Sequence, residues 1–240
     1  MPSARSSFIA ATATAAVLAL SACGSPAATD NGSSQEAKKE QVKAKVLTAA
    51  ELEQIVGSLT NAAGESAEVM PASALEGSDE LSKKLFENAK VTPASCKDAN
   101  QTSLDLPEGT VSAAGSWVDL ETSGATVVTL VSGDPAALGE LASSTNDRRA
   151  ECGEFTLEVS GMTIKTTITE AEADTSAEED AAFMISQELS VGTVTKTAVV
   201  EATQGAVTVN ATQVSGGSET PSISELSELV NKTLAAVAAK

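Results

Sequence analysis

Histidine and tyrosine are absent from the 240 residues, and the aromatic complement is one tryptophan and four phenylalanines. Without imidazole the chain lacks the commonest general base, the commonest metal ligand and the usual switch near neutral pH. Serine and cysteine triads that depend on histidine are thereby excluded, and no cofactor or metal-ligand motif is present. Positive charge is also scarce, 15 Lys and Arg against 33 Asp and Glu, for a net charge of -18. Arg5 lies in the leader discussed next, and the four lysines of residues 23–46 outnumber the acids there by one. The chain from Leu47 onward therefore carries about -20, a surface that repels nucleic acid and anionic head groups.

What is present begins with an export signal. Arg5 precedes an apolar run from Phe8 to Leu20, then Ser21 and Ala22, then Cys23 and Gly24. The run is too short for a membrane span and suits a signal peptide, residues 1–22. The order Leu20-Ser21-Ala22-Cys23-Gly24 resembles the bacterial lipobox, which implies lipid on the Cys23 sulfur and cleavage just before it. Two or three acyl chains at about 0.8 kcal/mol per buried methylene make an anchor that hardly dissociates. The expected location is extracytoplasmic, on the outer face of the bacterial cell membrane, with the membrane itself as a partner. Residues 23–46 hold few large apolar side chains and read as a flexible tether with a reach of roughly 25–30 Å.

With Cys23 set aside, Cys96 and Cys152 form an even pair in an oxidising compartment, and a structural disulfide is expected. Closing that separation constrains the unfolded chain by about 4 kcal/mol in the loop-entropy model.

Residues 47–240 form one α+β domain in this reading. Thr48 and Glu51 make a capping box, followed by Leu52, Ile55, Val56 and Leu59 on one helical face. A short strand is expected around 67–70 and a second helix over 79–88, ending before Pro93. Thr110–Val118 and Ala125–Val131 read as a hairpin across the turn 121–124. Asp134-Pro135 starts a helix that runs to Cys152, with Gly153 as its stop. Beyond it, alternating apolar residues from Phe155 to Ala211, broken at Gly161, Gly192 and Gly205, predict an antiparallel meander. Ser222 and Glu225 suggest a second capping box, and Ile223, Leu226, Leu229, Val230, Leu234 and Val237 form the stripe of a terminal helix that covers one sheet face.

The helix opening at Leu47-Thr48-Ala49-Ala50-Glu51-Leu52, the Pro93-x-x-Cys96 loop, the hairpin at Trp117, the Asp134-Pro135 helix closing on Cys152, the meander and the Ala-rich last helix occur together in that order. The chain resembles the PknH-like extracellular sensor domain family, over roughly residues 47–240. The resemblance implies an antiparallel sheet flanked by helices, a cleft for an unidentified ligand and no catalytic activity. Cys96 and Cys152 match that family's first disulfide. The second has no cysteines here, and Arg148 and Arg149 stand where an aromatic is common.

Three residues are candidates for ligand contact. Trp117, the only indole, suits either an apolar cleft or the core. Arg148 and Arg149, adjacent at a helix C-terminus, could grip an anionic ligand group or complement the helix dipole. The acidic stretch Glu170–Asp180 offers oxygen ligands but lacks the alternation and turn glycine of a calcium loop. Three functions stay open: a sensor-type domain binding a small molecule, a lipid or glycolipid carrier, and an acidic accessory protein docking on a basic protein partner.

Overall fold

Each helix begins where a side chain can take the first free backbone N–H groups. In α1 (Ala49–Ser58) Thr48 Oγ1 accepts from Glu51 N–H and the Glu51 carboxylate accepts from Thr48 N–H at 2.8 Å, the full capping box. Asp134 Oδ1 accepts from Ala136 and Ala137 N–H at the head of α2 (Pro135–Glu151). Ser222 Oγ accepts from Glu225 N–H at the head of α3 (Ile223–Ala238). There the box is half formed: Ser222 N–H goes to Gln213 Oε1 at 2.7 Å, so a strand residue takes the place expected for Glu225 and pins the helix start to the sheet.

These elements belong to a computed structural model that describes residues 45–70, 74–75, 89–97, 106–119, 124–159, 161–216 and 219–240. The leader, Cys23, the tether as far as residue 44, the helix expected over 79–88 and residues 121–123 of the expected turn lie outside them.

The strands are β1 (Glu68–Met70), β2 (Lys90–Thr92), β3 (Val111–Asp119), β4 (Gly124–Ser132), β5 (Glu154–Val159), β6 (Met162–Ala171), β7 (Glu179–Leu189), β8 (Val194–Gln204) and β9 (Val207–Ser215). They form one antiparallel sheet in the order β1-β3-β4-β9-β8-β7-β6-β5-β2. The α+β class and the meander expected from Phe155 onward are both present. Gly161, Gly192 and Gly205 take positive φ at three of its four connections, a conformation that costs glycine least. The first hairpin joins this meander through β4 and β9, with Val128 opposite Ala211.

Alternation along the strands gives the sheet two different faces. On the first, Val128, Leu130, Val200, Val209 and Ala211 are fully buried beneath Leu52, Ile55 and Val56 of α1 and Leu226, Val230 and Leu234 of α3. Each such aliphatic side chain contributes roughly 1.5–3 kcal/mol by leaving water. The approach is close enough that a Cβ on Gly115 would lie 2.4 Å from Val56 Cγ1.

The second face carries α2, of which Leu138 and Ala142 are buried. What α2 lacks in apolar burial is offset by a covalent tie. Cys96, in a single 3-10 turn (Ala94–Cys96), is bonded to Cys152 at the helix end, with 5.6 Å between Cα atoms. Phe155, Leu157 and Val91 pack around that disulfide as a second, smaller core.

Candidate functional site

The helices on the first face stop short of one end of the sheet. The last residue of α1 is Ser58 and the first of α3 is Ile223, and beyond both of them Trp117, Thr126 and Gln213 stand side by side on β3, β4 and β9. This row floors a groove of about 910 Å³. One wall is the turn Asn61–Glu65, and the other is Glu219–Glu225, leading into α3.

Trp117 is 9% exposed, with its indole ring against the core and its edge on the groove. Its Nε1–H donates to the Glu65 carbonyl at 2.9 Å, which fixes the ring to the turn beside it. The turn is tied by its own side chains. Asn61 Oδ1 accepts from Ala63 and Glu65 N–H, and Asn61 Nδ2 donates to the Glu65 carboxylate at 2.8 Å. Beside the floor, Val118 is 64% exposed.

Residues 45–47 lie at the opposite end. Leu47 N–H donates to Ser132 Oγ at 2.8 Å, and that hydroxyl donates to the Ala206 carbonyl in the β8–β9 turn. Lys45 bridges Glu51 and the carbonyl of Lys240. The Glu51 pKa is pushed down to about 2, first by the Thr48 N–H, then by Lys45 and the Thr48 hydroxyl. The groove and residues 45–47 are therefore at opposite ends of the strands.

The two arginines part company. Arg148 is exposed and curls back along α2, its Nε–H donating to the Ser144 carbonyl and its Nη2 to Thr145 Oγ1. Arg149 turns in: its Nη1 lies 3.4 Å from Glu201 Oε2 and its guanidinium 5.3 Å above the Phe183 ring. Asn210 Nδ2 donates to the same Glu201 oxygen at 3.2 Å. Glu201 is 7% exposed, so Arg149 is the counter-charge of a buried carboxylate and its guanidinium lies over a ring. Trp117 borders one groove while Arg148 and Arg149 stay with α2, so the three candidate residues do not converge on one site.

The acidic stretch is built into the fold. Asp174 N–H donates to Ser227 Oγ and Ser176 N–H to Asn231 Oδ1 on α3, while the Glu178 carboxylate accepts from Gly205 N–H and Asp180 from Thr175 Oγ1. Among the described residues, no group of three His, Cys, Asp or Glu is arranged to hold a metal ion, and no helix is long and apolar enough to cross a membrane.

Gln213, Glu219 and Glu225 were not legible as site residues, since they meet Trp117 only through the β4–β9 pairing. Glu225 carried the one signal available, an acid at the head of a helix, and that signal pointed to capping instead.

No family model matches the chain and no curated protein matches it. Among solved structures, the extracellular domain of PknH from Mycobacterium tuberculosis superposes with a TM-score of 0.53 at 12% identity, covering 82% of this chain and 99% of that one. The fold is that of the PknH extracellular domain. A second structure, of an uncharacterised Mycobacterium smegmatis protein described as an Rv0999 ortholog, is 16% identical with a TM-score of 0.46 and covers 82% of this chain and 98% of its own. At such identities the likeness is one of fold. The PknH-like sheet here keeps the expected Cys96–Cys152 bridge.

Proposed function

We propose that this is a surface-anchored lipoprotein, cleaved before Cys23 and held on the outer face of the cell membrane by lipid on that cysteine. Its sensor-type domain, residues 47–240, binds an envelope ligand without transforming it. The observation that carries the reading is the lipobox-like order Leu20-Ser21-Ala22-Cys23-Gly24 upstream of a domain with the fold of an extracellular domain. The absence of histidine supports the non-enzymatic part.

The groove beside Trp117 is the ligand site in this reading. It lies in the size range of small-molecule sites, and it opens at the end away from the tether. A lipid carrier needs an enclosed apolar chamber. Beneath α2, the space lined by Leu138, Leu141 and Val131 is about 20 Å³, enough for water and too small for an acyl chain.

The test is metabolic labelling of host cells with an alkyne palmitate, comparing the wild-type chain with Cys23→Ala. Label on the wild type, recovered in the membrane fraction, and none on the variant is the expected result. An unlabelled wild-type chain would sink the anchored reading. Native mass spectrometry of the chain extracted from its host tests the ligand separately, with a non-covalent small-molecule adduct expected. A co-purifying diacyl lipid would transfer the function to the carrier class.

A further inference from the structure

The groove has a charge pattern that selects its occupant. Glu65, Asp119, Glu219 and Glu225 line it, and neither lysine nor arginine is among its described lining residues. On the rim, Lys196 Nζ donates to Thr220 Oγ1 at 3.1 Å. The Glu65 carboxylate is engaged by Asn61. Glu219 and Glu225 are exposed, and capping of α3 is carried by Ser222 and Gln213 without the Glu225 carboxylate.

A helix N-terminus beside a groove ordinarily draws an anion through its N–H groups. At the head of α3, Ser222 N–H is taken by Gln213 Oε1 and Glu225 N–H by Ser222 Oγ, while the carboxylates set the local potential negative. The apolar part of the surface is shallow: exposed Val118, Ala62 and Ala63, with half-buried Ala125 and Val214, beside the Trp117 edge. A trough with a shallow apolar floor and a negative wall fits a chain that alternates aliphatic stems with cationic heads.

We infer that the Trp117 groove is the docking site for a Lys- or Arg-bearing segment of another envelope protein, laid across β3, β4 and β9 between the Asn61–Glu65 turn and the head of α3. This deepens, and rests on, the reading of the groove as the binding site. Charge complementarity selects the occupant: on a domain of about -20, Glu219 and Glu225 stand exposed on one wall of the groove.

The chain contains one tryptophan and no tyrosine, so its intrinsic emission reports this groove alone. The experiment is a fluorescence titration of the full mature chain with octalysine, a length-matched Ser-Gly peptide, and spermidine as a small cation. Octalysine is expected to shift Trp117 emission saturably and to bind at least about tenfold more weakly when salt rises to about 0.3 M. Glu219→Gln/Glu225→Gln should weaken it about fivefold with an unchanged melting temperature. Glu172→Gln/Glu179→Gln, exposed acids outside the groove, should leave the response as it was.

The inference is overturned by no octalysine response, by an equal response to the neutral peptide or to spermidine, or by equal losses in the two double variants. A response confined to the neutral peptide would leave a ligand-binding groove whose ligand is uncharged. The palmitate label would stand in either case.

Discussion

The two ends of the sheet differ in which of their polar and charged side chains the fold ties down. At the end of residues 45–47, the proposed tether end, several are tied into the fold: Ser132 joins Leu47 to Ala206, Lys45 joins Glu51 to the Lys240 carbonyl, and Asn231 holds the 172–178 loop through Ser176 N–H and the Asp174 carbonyl. At the groove end the wall carboxylates Glu219 and Glu225 are exposed, with capping of the helix beside them done by other residues. Accumulated like charge on an acidic protein works against the compact state. Glu225 also serves the α3 dipole from the first turn, and the exposed carboxylates of both wall acids stay open to a cation from outside the chain.

Substitutions separate the two ends by size of effect. The largest change calibrates the scale and belongs to neither: Cys96→Ala/Cys152→Ala should cost about 4 kcal/mol in urea unfolding, with hydrogen exchange rising first along α2, whose own apolar burial is slight. At the tether end Ser132→Ala removes the acceptor of the buried Leu47 N–H and should cost about 2 kcal/mol. Asn231→Ala, which loses both its bonds to the loop, should cost about 1 kcal/mol.

A pH effect also belongs to this end. The folded-state pKa of Glu51 is depressed from 4.5 to about 2, so its contribution is fully present above pH 4.5 and is lost as pH falls towards 2. The stability gap between wild type and Glu51→Gln should be open at neutral pH and closed near pH 2 in denaturant titrations. The smallest effect falls at the groove, where Glu219→Gln/Glu225→Gln should stay within about 0.5 kcal/mol of wild type. A loss of 2 kcal/mol there would erase the contrast between the ends.

Much of the fold was legible because local rules and tertiary structure agree along this chain. The capping residues Thr48, Asp134 and Ser222, the turn glycines 161, 192 and 205 and the period-two strands all fall where the elements begin, turn and run. Cysteine arithmetic found the bridge. Pairings between distant strands, β4 with β9 and β2 with β5, carry no local signature and were not readable. The site suffered for the same reason. Trp117 was visible by its rarity, but its companions Gln213 and Glu225 come from the far end of the chain. Arg148 and Arg149 were visible by their charge, and only the fold shows that one is exposed along its own helix while the other meets Glu201.

The most direct test of the arrangement uses the single tryptophan as a depth gauge. The chain, carrying the proposed lipid on Cys23, is placed in vesicles containing a headgroup spin-labelled lipid, and quenching of Trp117 is compared with that of a Trp117→Phe/Val46→Trp variant, whose indole marks the end of residues 45–47. Modest quenching at position 46, held back by the roughly 25–30 Å reach of residues 23–46, and still weaker quenching of Trp117 is the result expected if the groove stands away from the membrane. Quenching of Trp117 as strong as that at position 46 would contradict it.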